Sequence, residues 1–290
     1  MDSTSGRLVS MVGILSAVLI ARSGGAGELA QKGREILKNS RDSIVTVSAI
    51  CRVEADDGNA DTQETFCPGL VLDSSGMTVV SYMGINPMES AVEAMMAEME
   101  EEADEEEEIT GVAKPKVSLS RIMMRLPDGT EVRARIVLKD KELDIACLLP
   151  DLKPDAKAPR FAPIKLNPAV TAQELDDLVV ISRQDKNLGY QPIIMADHVT
   201  SVLTRPRAMY DLSNGSAPGS VVFLMNGDLL GMLASPSGIS EDLQNPYIFI
   251  LPAPELARLA AQARAAADKK STDKPSDKPA AEPAAAHDKP

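Results

Sequence analysis

Apolar and polar positions alternate with a period of two along most of this chain, in runs too short for helices and separated by Gly, Asn, Asp and Pro. SIVTVSAIC, from Ser43 to Cys51, is β-branched and alternating and predicts a strand. CPGLVLDSSGMTVVSYMGI, from Cys67 to Ile85, predicts two strands joined at the Ser75-Gly76 turn. KVSLSRIMMRLPDGTEVRARIVLKDKELDIACLL, from Lys116 to Leu149, predicts two strands about the Pro127-Asp128-Gly129 turn and then an apolar one. LDDLVVISRQ (Leu175 to Gln184), QPIIMADHVTSVLTRP (Gln191 to Pro206) and the two short runs meeting at Asn226-Gly227 supply more strands. The period shifts to three and four in two places. Glu28 to Lys38 carries Leu29, Ile36 and Leu37 and predicts a short leading helix, and YIFILPAPELARLAAQ, from Tyr247 to Gln262, predicts a last strand and a closing helix.

Composition refines this all-β pattern. Trp is absent and aromatic residues are 3% of the chain, so the core must be built from Val, Ile, Leu and Met. The net charge of -13 is concentrated, because Glu89 to Glu108 holds eleven acids and no base. Met88, Ala91, Val92, Met95, Met96 and Met99 recur at helical spacing ahead of EEEADEEEE, Glu100 to Glu108. Residues 89–116 therefore form an insert, expected to be solvated and loosely packed; its functional alternatives are a partner-binding helix with an acidic lure, or weak cation binding. Nothing in this charge pattern supports binding to nucleic acid.

The first 27 residues, with Arg7, the apolar run Leu8 to Ala21 and small residues to Gly27, have the layout of a secretory signal and imply export to a periplasmic or extracellular compartment. The run is short of the roughly 20 residues a bilayer span needs, and no later segment is apolar and long enough to leave a stable membrane span. Residues 265–290, with DKP three times, read as a disordered tail. Export favours oxidised cysteines; Cys51 closes one strand and Cys67 opens the next, so these two are expected to pair, and Cys147 in DIACLL to stay a buried thiol. No C-x-x-C or H-x-E spacing offers a metal site, and no motif calls for a cofactor.

GDLLGM, Gly227 to Met232, resembles the strand GEVIGI of trypsin-like serine proteases of the HtrA/DegP branch, which follows their GNSGGPL nucleophile loop. Cys67 to Ile85 resembles the family's GSGFVIDADGYIVTNNHVV, the run ending in Leu149 its TDIAVLK, Leu175 to Gln184 its GDWVVAIGNP, and Gln191 to Pro206 its strand ending in GIVSAL. The resemblance covers Ser43 to Gln262 and implies two six-stranded Greek-key β-barrels of the chymotrypsin type, with short helices at both ends. The first barrel is expected over 28–151, a linker over 152–168 and the second barrel with its closing helix over 169–264. No segment resembling a PDZ domain follows.

Gap-free matching places the family's catalytic histidine on Met83, its aspartate on Asp144 and its serine on Pro218, so only Asp144 is retained. Methionine has no proton to exchange, and proline supplies neither a hydroxyl nor a backbone N–H. The resemblance thus implies a protease homologue without catalysis that binds or scaffolds a protein or peptide partner. The alternative from another class is a working endopeptidase that uses Ser216 or Ser220 with His198, the only histidine ahead of the tail.

Overall fold

The computed structural model describes residues 24–55, 58–102, 114–153, 158–236 and 247–272. The apolar run of the expected signal, the acidic run beyond Glu102 and the tail beyond Thr272 lie outside them. Helix α1 (Gly24–Ser40) leads into β1 (Ile44–Glu54), β2 (Ala60–Val71) and β3 (Thr78–Ser81). The one-turn helix α2 (Tyr82–Ile85) and α3 (Pro87–Glu102) follow, then β4 (Lys116–Arg125), β5 (Glu131–Asp140) and β6 (Ile145–Pro150). The second half comprises β7 (Asp177–Arg183), β8 (Pro192–Leu203), β9 (Met209–Leu212), β10 (Val221–Leu224), β11 (Leu229–Ala234), β12 (Phe249–Pro252) and helix α4 (Ala253–Thr272).

Each half closes into a six-stranded antiparallel barrel, and both have the same connectivity: β1-β2-β3-β6-β5-β4 in the first and β7-β8-β9-β12-β11-β10 in the second. This is the double barrel that the resemblance to trypsin-like proteases implies. Closure leaves few strand edges unpaired, which suits a chain with short strands and little aromatic bulk.

The alternation of side chains decides where the core sits. Val45, Val47 and Ala49 of β1, Val80 of β3, and Ala146 and Leu148 of β6 fill the first barrel. Their neighbours Ile44, Val79, Ile145 and Cys147 point the other way, into an apolar layer shared with the second barrel. Those strands are buried on both faces, hence their near-continuous apolar sequence. Leu256, Leu259, Ala260 and Ala263 of α4 complete this shared layer at spacings of three and four. Arg264 of α4 also pairs with Asp73 in the β2–β3 turn at 2.7 Å.

Two expectations are corrected by local chemistry. The closing helix extends through Thr272 rather than ending at 264, since Ala265, Ala266 and Ala267 are strong helix formers. The start of the acidic insert is a docked helix. Val92 is buried, Tyr82 donates to Glu89, Asn86 Nδ2 donates to Glu89 at 2.7 Å, and Lys141 pairs with both Glu89 and Glu93. Met95 remains 43% exposed.

The disulfide expectation is also corrected. In the β1–β2 ladder Cys67 faces Val47 and Cys51 faces Gln63, so the two cysteines are four positions out of register. Four residues of strand separate them by about 13 Å, whereas bridged Cα atoms lie within about 7 Å. All three cysteines are free and buried. Cys51 Sγ donates to the Ile85 carbonyl at 3.2 Å, and burial pushes the Cys147 thiol up to about 12.

Candidate functional site

Asp144 ends the turn between β5 and β6 and is buried, with a φ of 57° that aspartate tolerates better than most side chains. Three donors converge on its carboxylate: the Met83 N–H at 2.6 Å, the Ser81 hydroxyl at 2.7 Å and the Ser235 N–H at 2.9 Å. Two come from the β3–α2 corner of the first barrel, and the third from the chain leaving β11 of the second. Ser81 also accepts from the Gly84 N–H at 2.9 Å, capping α2 and fixing the turn on which Met83 stands. Burial outweighs these three donors and raises the Asp144 carboxyl to about 6. Residue 83, where the resemblance implies a histidine, is a methionine that meets this carboxylate through its backbone N–H.

The facing loop meets this corner through Cys67. Its thiol donates to the Pro218 carbonyl at 3.5 Å, and β-carbons built on Gly84 and Gly219 would lie 2.5 Å and 2.4 Å from its Sγ. Met83 and Asp144 therefore touch directly, and the Pro218 loop joins them across a buried sulfur. Burial, then the charge of Asp144, push the Cys67 thiol above its ordinary value, which favours the protonated form.

The loop's amides are already committed. The Gly219 N–H donates to the Leu233 carbonyl at 2.7 Å and the Ser220 N–H to the Ala217 carbonyl at 3.1 Å. Pro218 has no N–H to give. Ser220 is fully buried; its hydroxyl bonds the Ala217 carbonyl at 2.6 Å and Ser182 at 3.0 Å, with Ser216 at 3.3 Å. These two serines tie the loop to β7.

His198 lies apart from them. It faces Asp177 at one end of the β7–β8 ladder, while Ser182, the partner of Ser220, faces Ile193 five residues further on. That is about 17 Å of strand, well beyond hydrogen-bond reach. The His198 Nδ1 lies 4.0 Å from Asp197, whose carboxylate is taken up by Ser213 and Asn214.

Two residues of this corner escape a search for triad positions. Cys67 was readable only as a disulfide candidate, although it falls where the resemblance has the first glycine of GSG, a place where added volume matters. Ser235 acts through its backbone, which no side-chain pattern reveals. Among the described residues no group of three or more His, Cys, Asp and Glu is placed to hold a metal. No described helix is long and apolar enough to cross a membrane. Compared with protein-family models and with curated proteins, the chain matches none of them, so its likeness to trypsin-like proteases rests on the double barrel and the quoted motifs.

Proposed function

We propose that this chain is an exported, catalytically silent homologue of the HtrA-type serine proteases, whose double barrel holds a protein or peptide partner. The observation that carries this reading is the Asp144 corner: the carboxylate is secured by the backbone of residue 83 while a thioether occupies the place of a base. The opposite loop supports it with a proline and with amides turned inward. Binding needs shape and hydrogen-bond groups, and it outlives the loss of a base and a nucleophile.

The test combines labelling with binding. The purified chain is exposed to a serine-directed fluorophosphonate and to casein, with turnover and complex formation followed separately. No label, no cleavage and a measurable complex are expected. Labelling that disappears in Ser216→Ala or Ser220→Ala overturns the proposal in favour of a working peptidase, and absence of any complex removes the binding role.

A further inference from the structure

Where the β4–β5 turn of the first barrel meets the β7–β8 loop of the second, a cavity of about 160 Å³ opens between them. Arg41, Arg125 and Arg183 line it together with Thr46, Tyr190 and the turn glycines, and no Asp or Glu does. The cavity shares no residue with the Met83, Asp144 and Pro218 corner. In a chain of net charge -13 this is a concentrated reversal of sign.

The three guanidinium groups differ in how they are held. Arg183 is fixed by carbonyls alone: its Nη2 donates to Arg41 O at 2.9 Å and to Ile44 O, and its Nη1 donates to Tyr190 O at 3.4 Å. Among the described residues it has no ion pair, and its Nε has no hydrogen-bond partner. Arg125 lies 4.9 Å above the Tyr190 ring and pairs with Glu131 at 2.7 Å on the exposed side, and Arg41 pairs with exposed Asp42 at 3.5 Å. Burial and then the charge of Arg41 hold the Arg183 guanidinium below its usual value, while Asp42 opposes them; of the three, Arg183 alone is without an ion pair among the described residues and is held by carbonyls instead. Like charges around one cavity repel, and an oxyanion between them turns that repulsion into charge-assisted hydrogen bonding. Three guanidinium groups suit a dianion better than a single carboxylate.

We propose that this inter-barrel cavity binds a phosphate group, either the free ion or a phosphomonoester, with Arg183 as the fixed charge and Arg41 and Arg125 closing from the rim. The proposal is independent of the protease reading and stands or falls separately from it.

The experiment is isothermal titration of the full chain with inorganic phosphate, phenyl phosphate and acetate, with chloride matching the ionic strength throughout. One equivalent of phosphate or phenyl phosphate is expected to bind, with acetate weaker. Arg41→Gln together with Arg125→Gln is expected to weaken binding by about tenfold or more through lost charge-assisted bonds. Arg41 is exposed and Arg125 half-buried between Glu131 and the Tyr190 ring, so thermal unfolding of the double variant checks that the barrels remain folded, and Arg183 is left in place because it also clamps three carbonyls. Preference for inorganic phosphate over phenyl phosphate assigns the free ion, and the reverse preference assigns an esterified phosphate. Binding of neither, equal binding of acetate, or unchanged affinity in the double variant overturns the proposal.

Discussion

The Cys67 thiol donates to the Pro218 carbonyl across 3.5 Å, tying β2 of the first barrel to the Pro218 loop of the second. It has room only because Gly84 and Gly219 lack side chains. A methyl group on Gly219 would meet Cys67 Sγ at 2.4 Å and the Pro68 carbonyl at 2.8 Å, on a backbone with φ of 87°. Gly219→Ala should therefore lower stability by about 2–4 kcal/mol, the sum of overpacking and backbone strain. Adding Cys67→Ala should recover part of this, since the sulfur clash disappears while the carbonyl clash and the φ remain. Urea unfolding of the two variants decides it: equal loss in both would mean that Cys67 and Gly219 do not share this space.

The cysteines give a second expectation. Cys51, Cys67 and Cys147 are all free and buried. A thiol reagent should titrate none of them in the native protein and three after unfolding in guanidinium. Mass spectrometry of the non-reduced protein should find no Cys51–Cys67 cross-link; finding one would require the β1–β2 register to slip by four residues.

Asp144 makes stability depend on pH in an unusual direction. Its carboxyl is raised from 3.8 to about 6 on folding, chiefly by burial. The protonated form is thus favoured by the fold, and its stabilising contribution is complete below 3.8 and lost as pH rises through about 6. The full swing is about 3 kcal/mol by linkage, shared with whatever other groups titrate in that window. Denaturation of wild type and Asp144→Asn between these limits should converge in slope only if Asp144 is not the source. The expected result is that the variant loses this falling limb, while being less stable throughout because its amide cannot accept from all three donors.

Much of the fold was legible because apolar alternation and turn chemistry agree. The β2–β3 and β4–β5 turns at Ser75-Gly76 and Pro127-Asp128-Gly129, and the β10–β11 turn at Asn226-Gly227, fall where Gly adopts positive φ. The cysteine pairing is not legible in the sequence, because strand order shows that Cys51 and Cys67 share a hairpin but not how far along it each stands. The docking of α3 was hidden for a related reason: Glu89 and Lys141 are far apart in sequence, and only barrel closure brings them into one ion pair. Likewise the cluster of Arg41, Arg125 and Arg183 comes from three separate segments, and no local pattern marks them as neighbours.

Introducing the base and nucleophile of the trypsin-like family tests the proposed protease reading. Met83→His places an imidazole on a turn whose backbone N–H donates to Asp144 at 2.6 Å, so the ring and the carboxylate start as neighbours. Pro218→Ser returns a hydroxyl and one N–H to the facing loop. Charge stabilisation is harder to recover, because the Gly219 and Ser220 amides donate to Leu233 and Ala217, and the Ser220 hydroxyl anchors the loop to Ser182. Losing a single oxyanion donor costs roughly 10² to 10³ in rate, so the double variant should be labelled slowly by a fluorophosphonate and cleave casein only in traces. Neither single variant should label, since each lacks either the base or the nucleophile. Fast labelling of the double variant would show that the loop rearranges to form an oxyanion site once Pro218 is removed. Labelling of Met83→His alone would instead identify Ser216 or Ser220 as a nucleophile held in reserve.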